Sequence, residues 1–205
     1  MFDLPSLRTG AANTPDESEP IRGEDNAEDD DIQMGLDLLH EMGATHLTMG
    51  NHDLARVERF LQARQAIVRE NARTIRKDIV DGLAKQKIRW IPWDIEHSFV
   101  FGDTHFNHGF SFGLSSLRTR SLSWPKHVGA HDHVAAQYTG PGFSGTKVMS
   151  TGTWIRLDRA EYARQRHNTL AWSRGIVWGE YCSKYAQLQL WQHNPRSGQE
   201  MRLPF

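Results

Sequence analysis

At 205 residues and 38% apolar side chains, the chain can bury one sizeable core and is short for two ordinary domains, so a single domain is expected. No apolar run approaches the roughly 18–20 residues needed to cross a bilayer, and the N-terminus lacks the basic-then-apolar order of a signal peptide; a cytoplasmic protein without a membrane partner is expected. The lone cysteine, Cys182, excludes an internal disulfide and a cysteine-based zinc site, which leaves the eleven histidines as the natural metal ligands.

Charge is distributed unevenly. Ten of the 25 acidic side chains lie in residues 1–31 beside only Arg8 and Arg22, so residues 32–205 carry 15 acidic and 22 basic groups. A basic body attracts phosphorylated or polyanionic substrates at long range, and it is equally a solvated, Arg-rich surface.

Residues 1–7 are followed by a polar, acidic stretch, 9–31, broken by Pro15, Pro20 and Gly23 and expected to be a loop. Ile32, Leu36, Leu39 and Met42 recur at helical spacing, with acids at the N-terminal end where the helix dipole favours them, and Gly43 stops the pattern. A short strand, 45–49, then runs into Gly50-Asn51-His52-Asp53: a neutral oxygen donor, a group that titrates near neutrality and a carboxylate able to orient its neighbours. Helix, strand and polar turn follow the logic of α/β folds, whose sites gather at the carboxyl ends of strands.

Residues 54–85 read as helical, with Val57, Phe60, Leu61, Ile67, Val68, Ile75, Ile79 and Leu83 forming an apolar stripe; two helices with a break within 70–74 fit equally well. Arg56, Arg59, Arg64, Arg69, Arg73 and Arg76 stand between these positions, either as a solvated face or as contacts for nucleic-acid phosphates. Trp90-Ile91-Pro92-Trp93 reads as a turn into a strand, 98–101, which leads to Thr104-His105-Phe106-Asn107-His108-Gly109. Residues 111–122 are short-helical or irregular, and Val128-Gly129-Ala130-His131-Asp132-His133 follows. Further strands are expected at 146–151, 175–180 and 187–191, with a partly helical Arg- and Trp-rich segment at 154–174.

Gly-Asn-His-Asp after a strand, a later strand-end His-Gly and a final His-x-His together resemble the calcineurin-like metallophosphoesterases. The segment from Ala160-Glu161-Tyr162 to Trp172-Ser173-Arg174-Gly175 looks similar to phage and prophage members. The resemblance implies an α/β fold, a β-sandwich flanked by helices, and hydrolysis of a phosphomonoester or phosphodiester by a metal-activated hydroxide, as in a phosphatase or nuclease. It implies divalent metal ions, Mn, Fe or Zn, two of them in the complete family site. Residue by residue, it makes Asn51, His108 and His131 ligands of one metal and His133 a ligand of the other. His52 would protonate the leaving oxygen, and Asp53 would orient the turn.

Two departures stand out. Ala130 occupies the place where glycine usually precedes the first histidine, and no Asp-x-His motif precedes Gly50-Asn51-His52-Asp53. Met1-Phe2-Asp3 matches only the last three positions of the family's Gly-Asp-x-x-Asp, so Asp3 is either a supporting carboxylate or an ordinary Asp in a frayed terminus. Asp103 follows Gly102 but lies out of order to replace the missing motifs. The resemblance therefore covers about the last two-thirds of the family domain, and it implies that the opening strands are missing and a sheet edge is exposed. The alternative is a catalytically impaired one-metal or metal-free module that binds nucleic acid or regulates. Among substrates, phosphorylated small molecules, phosphoproteins and nucleic acid all stay open.

Overall fold

The computed structural model describes residues 27–111, 114–140, 145–154 and 171–193. It shows a mixed α/β chain that divides into two compact units, Met1–Trp93 and Asp94–Phe205. Most of the expected acidic loop, the Asp3 position and most of the expected partly helical segment lie outside the described residues.

The first unit is built on its helices. α1 (Ala27–Glu41) starts before position 32, so the acidic run 28–31 belongs to its first turn and not to a loop, where the N-terminal end of the helix dipole favours carboxylates. Ile32, Leu36 and Leu39 are buried; Met42, one residue past the helix, is 65% exposed and is not part of the core. Gly43, at φ 61°, ends the helix, and the Ala44 N–H donates to the Leu39 carbonyl at 2.9 Å.

β1 (His46–Thr48) carries the chain through the polar turn into α2 (Leu54–Phe60). The helical stretch breaks at residues 61–65, earlier than 70–74, and α3 (Ala66–Lys85) is continuous through that later region. The break is fastened from the far side. Arg69 Nη1 donates to the carbonyls of Ala63 (2.8 Å) and Arg64 (2.6 Å), groups that a continuous helix would have used internally.

Val68, Ala72, Ile75, Ile79 and Leu83 form the buried stripe of α3, with Leu54, Val57 and Phe60 of α2 beside them. Ile67 falls off this stripe and is 66% exposed, because at 100° per residue it points away from Val68 and its followers. A methyl group at Gly82 would stand 2.3 Å from Leu36 Cδ1, so the missing side chain is what lets α1 lie close on α3. β2 (Arg89–Ile91) then returns parallel to β1, pairing Leu47 with Trp90. Trp90 and Ile91 are therefore strand residues and not a turn: the helical crossover from β1 delivers them to a parallel partner, which local sequence does not announce.

The second unit is organised around a five-stranded sheet in the order β3-β4-β5-β7-β6. β3 (Phe99–Phe101) and β4 (Thr104–Phe106) form a hairpin. α4 (Leu114–Ser123) then leads to β5 (Lys126–Gly129), parallel to β4, and β7 (Lys147–Thr151) is parallel to β5. β6 (Ala135–Thr139) pairs antiparallel to β7 at the edge; its run of small and polar residues gives little strand signal, and the sequence reading does not contain it. β8 (Arg174–Tyr181) and β9 (Ala186–His193) make a separate hairpin. Asp103, at the β3–β4 turn, pairs with Lys126 and accepts the Ala186 N–H at 3.0 Å; the Lys126 ammonium above all holds its carboxyl below the usual carboxylate range.

Candidate metal centre

The Gly50–Asp53 turn in the first unit closes on itself. The Gly50 N–H donates to Asp53 Oδ2 at 2.7 Å, and the Asp53 N–H donates back to the Gly50 carbonyl at 3.2 Å. Asp53 is 1% exposed, stands at the N-cap of α2 and makes no side-chain cap bond to the helix; its carboxylate shapes the turn instead. With Asp53 turned in, Asn51 is half-buried and His52 is exposed.

In the second unit, the loops leaving β4 and β5 are joined through one carbonyl. The N–H groups of Ala130 and His131 both donate to the His108 carbonyl, at 3.0 and 2.9 Å. This brings the rings of His108 and His131 together, with centres 5.1 Å apart and planes at 85°. Parallel neighbours end side by side, so residues just past two adjacent strands converge even though 23 positions separate them in the chain.

No family model, curated protein or solved structure matches the chain.

The histidine pair fits a metal ion by spacing. An ion bound at ~2.0–2.1 Å from an imidazole nitrogen lies about 3 Å from the ring centre, so two imidazoles sharing one ion have centres about 5 Å apart. Two neutral nitrogen donors without thiolate suit Mn, Fe or Zn. Among the described residues, no three His, Cys, Asp or Glu side chains gather as a ready ligand set; the pair stands as two.

His131 and His133 diverge. The chain turns at 131–134, and His133 adopts φ 57°, a left-handed conformation uncommon for a residue with a side chain. Its ring packs edge-on to the Trp172 indole, centres 4.4 Å apart. The residue between them, Asp132, is buried: it pairs with Arg120 of α4 and accepts a hydrogen bond from the Ser116 hydroxyl. Burial draws the Arg120 guanidinium below its ordinary pKa, and the neighbouring Asp132 carboxylate opposes that shift.

A second polar pair lies beneath the same loops. An amide oxygen only accepts, so His127 Nε2–H is the donor to Asn107 Oδ1 at 2.9 Å. His127 is fully buried and stacks on Trp124, with centres 5.1 Å apart. Burial first, then the Arg120 charge and His105, push its pKa down to about 3. His105 itself lies within β4 and shares a 2.8 Å hydrogen bond with the Ser98 hydroxyl.

Asp132, Arg120, Asn107 and His127 carry no local sequence signal of their buried contacts. Asp132 was visible only as the spacer of His-x-His, and α4 has no period strong enough to mark Arg120 as inward-facing. The arginines of the first unit are largely occupied locally: Arg69 with loop carbonyls, Arg73 with Glu70 at 2.9 Å, Arg76 with Glu58 at 3.6 Å. A cleft of about 750 Å³ on the α2–α3 face, lined by Glu58, Arg73, Arg76, Lys77 and Asp81 among others, holds the Arg76–Glu58 and Lys77–Asp81 pairs. Among the described residues no helix is long and apolar enough to cross a membrane.

Proposed function

We propose that the chain carries metal-binding machinery of a metal-dependent phosphoesterase, acting on a phosphomonoester or a phosphodiester, with His108 and His131 as ligands of one divalent ion. The observation that carries this reading is the pairing of those two imidazoles at 5.1 Å, at the ends of adjacent parallel strands. The motif order adds support, since Gly-Asn-His-Asp precedes both histidines.

When bound, such an ion supplies a Lewis acid for phosphoryl oxygen and makes water acidic enough to act as a nucleophile near neutral pH. The chain's own residues do the rest. In the second unit His108 and His131 present ring nitrogens; in the first unit Asn51 is the amide-oxygen ligand that the resemblance implies. The exposed His52 of the first unit is the residue that the resemblance would make the proton donor to the leaving oxygen. Asp53 keeps the turn that presents His52. His133 is the ligand assigned to a second ion on the resemblance alone; its ring packs edge-on to Trp172.

The test is metal content and hydrolysis in the same preparations. Manganese bound per chain is measured in the parent protein and in His108→Ala, His131→Ala and His52→Ala, beside hydrolysis of bis-p-nitrophenyl phosphate and p-nitrophenyl phosphate. The expected result is loss of metal and turnover in the first two variants, and loss of turnover with metal retained in the third. Unchanged metal binding in both His108→Ala and His131→Ala overturns the reading.

A further inference from the structure

We propose that Arg120 is the positioning residue of the His108–His131 pair, a single guanidinium that holds both histidine-bearing loops in register; the metal-binding consequence of this rests on the proposed function above. Arg120 sits in the last turn of α4 and is 4% exposed. Its Nη2 donates to Asp132, the residue directly after His131, and Asp132 is held from its other oxygen by Ser116.

The opposite edge of the guanidinium lies between two glycines. A methyl group built onto Gly129 would stand 2.5 Å from Nη1, and one on Gly109 would stand 3.0 Å from the same atom and 3.3 Å from Cβ of His131. Gly109 directly follows His108, and its φ of 93° is one that residues with side chains rarely adopt. Three points that flank the two histidines therefore close on one planar group: Gly109 just past β4, Gly129 at the end of β5, and the Asp132 carboxylate on the loop that follows β5. The two glycines of these motifs leave the space that the guanidinium fills.

The arrangement is a poor device for stability alone. Arg120 Nε and Nη1 are buried and have no hydrogen-bond partner among the described residues, and a buried charge held by one carboxylate is often no better for folding than an apolar side chain of similar size. What the guanidinium supplies that an apolar side chain does not is a rigid fork, bonded at one edge and packed against both glycines at the other. Spacing of the two loops, and through it spacing of the two imidazoles, is the function left for it.

The test reads the loops directly. The Ala130 and His131 N–H groups both bond the His108 carbonyl, so their hydrogen-exchange rates report whether the loops stay joined. In Arg120→Met and, as the variant that keeps the charge, Arg120→Lys, exchange at Ala130 and His131 is expected to rise about tenfold or more, while amides of the β5–β7 ladder keep their rates. Manganese affinity is expected to fall by about ten- to a hundredfold in both. Unchanged exchange at Ala130 and His131, or an equal rise throughout the β5–β7 ladder, overturns the positioning role. Absence of manganese binding in the parent protein would overturn the phosphoesterase reading and leave exchange to decide the role of Arg120.

Discussion

Lowering the pH from 7 to 5 is expected to cost the second unit about 2 kcal/mol of stability through His127 alone. Its ring is fully buried, and its pKa falls from the ordinary 6.5 to about 3 in the folded protein. Above pH 6.5 the ring is neutral folded and unfolded, and the full stability is present. Below 6.5 the unfolded chain takes up a proton that the folded protein refuses, so stability falls by up to ~1.4 kcal/mol per pH unit until the folded pKa is reached. At pH 5, about 1.5 units into that window, the loss is about 2 kcal/mol. Urea denaturation between pH 4.5 and pH 8, monitored at Trp124 and its neighbours, reads this in the parent protein and in His127→Gln, which keeps an N–H donor for Asn107. The variant should be less stable at pH 8 and flatter with pH, so that the two curves converge on acidification. Parallel curves, or a His127 resonance that titrates near 6.5 in the folded protein, would refute the argument.

Other outcomes follow from single contacts. Gly152 has φ 72°, and a methyl group there would stand 2.1 Å from the Ser173 carbonyl oxygen and 2.7 Å from the Ala135 nitrogen, so Gly152→Ala should destabilise by about 3 kcal/mol or more in denaturant. Ile79→Ala empties a fully buried position of α3 and should cost about 2–5 kcal/mol, read as a lower urea midpoint for the first unit with little effect on the second. Asp53→Ala removes the acceptor of the buried Gly50 N–H; a loss of about 1–3 kcal/mol is expected, together with faster exchange at Gly50. An unaltered Gly50 exchange rate would show that the carboxylate does not hold the turn.

What could be read in the sequence was whatever repeats locally. The α3 stripe from Val68 to Leu83 and the alternating strand near 187–191 announce themselves by period, and the run near 175–180 by its strand-like composition. The break at 61–65 does not, because it depends on Arg69 reaching back to two carbonyls, and apolar spacing carries no record of that. β2 was hidden for a related reason: Trp90 and Ile91 become strand residues only when β1 arrives beside them. At the candidate centre, His108, His131 and His133 were visible as residue types at strand ends. The first two meet where the Ala130 and His131 N–H groups bond the His108 carbonyl, and the third packs against Trp172; Asp132 between them pairs with Arg120, twelve residues away on a helix of weak amphipathicity.

The contact between Asp103 and the Ala186 N–H bears on how the second unit assembles. The β8–β9 hairpin pairs residues that are neighbours in sequence, so its closure is local and fast. Fastening it to Asp103 joins positions 83 residues apart, and the chain entropy of that large loop falls on the docking step. The order of events is then hairpin first and attachment late, so loss of the Asp103 carboxylate should act mainly by quickening unfolding and only weakly by slowing folding.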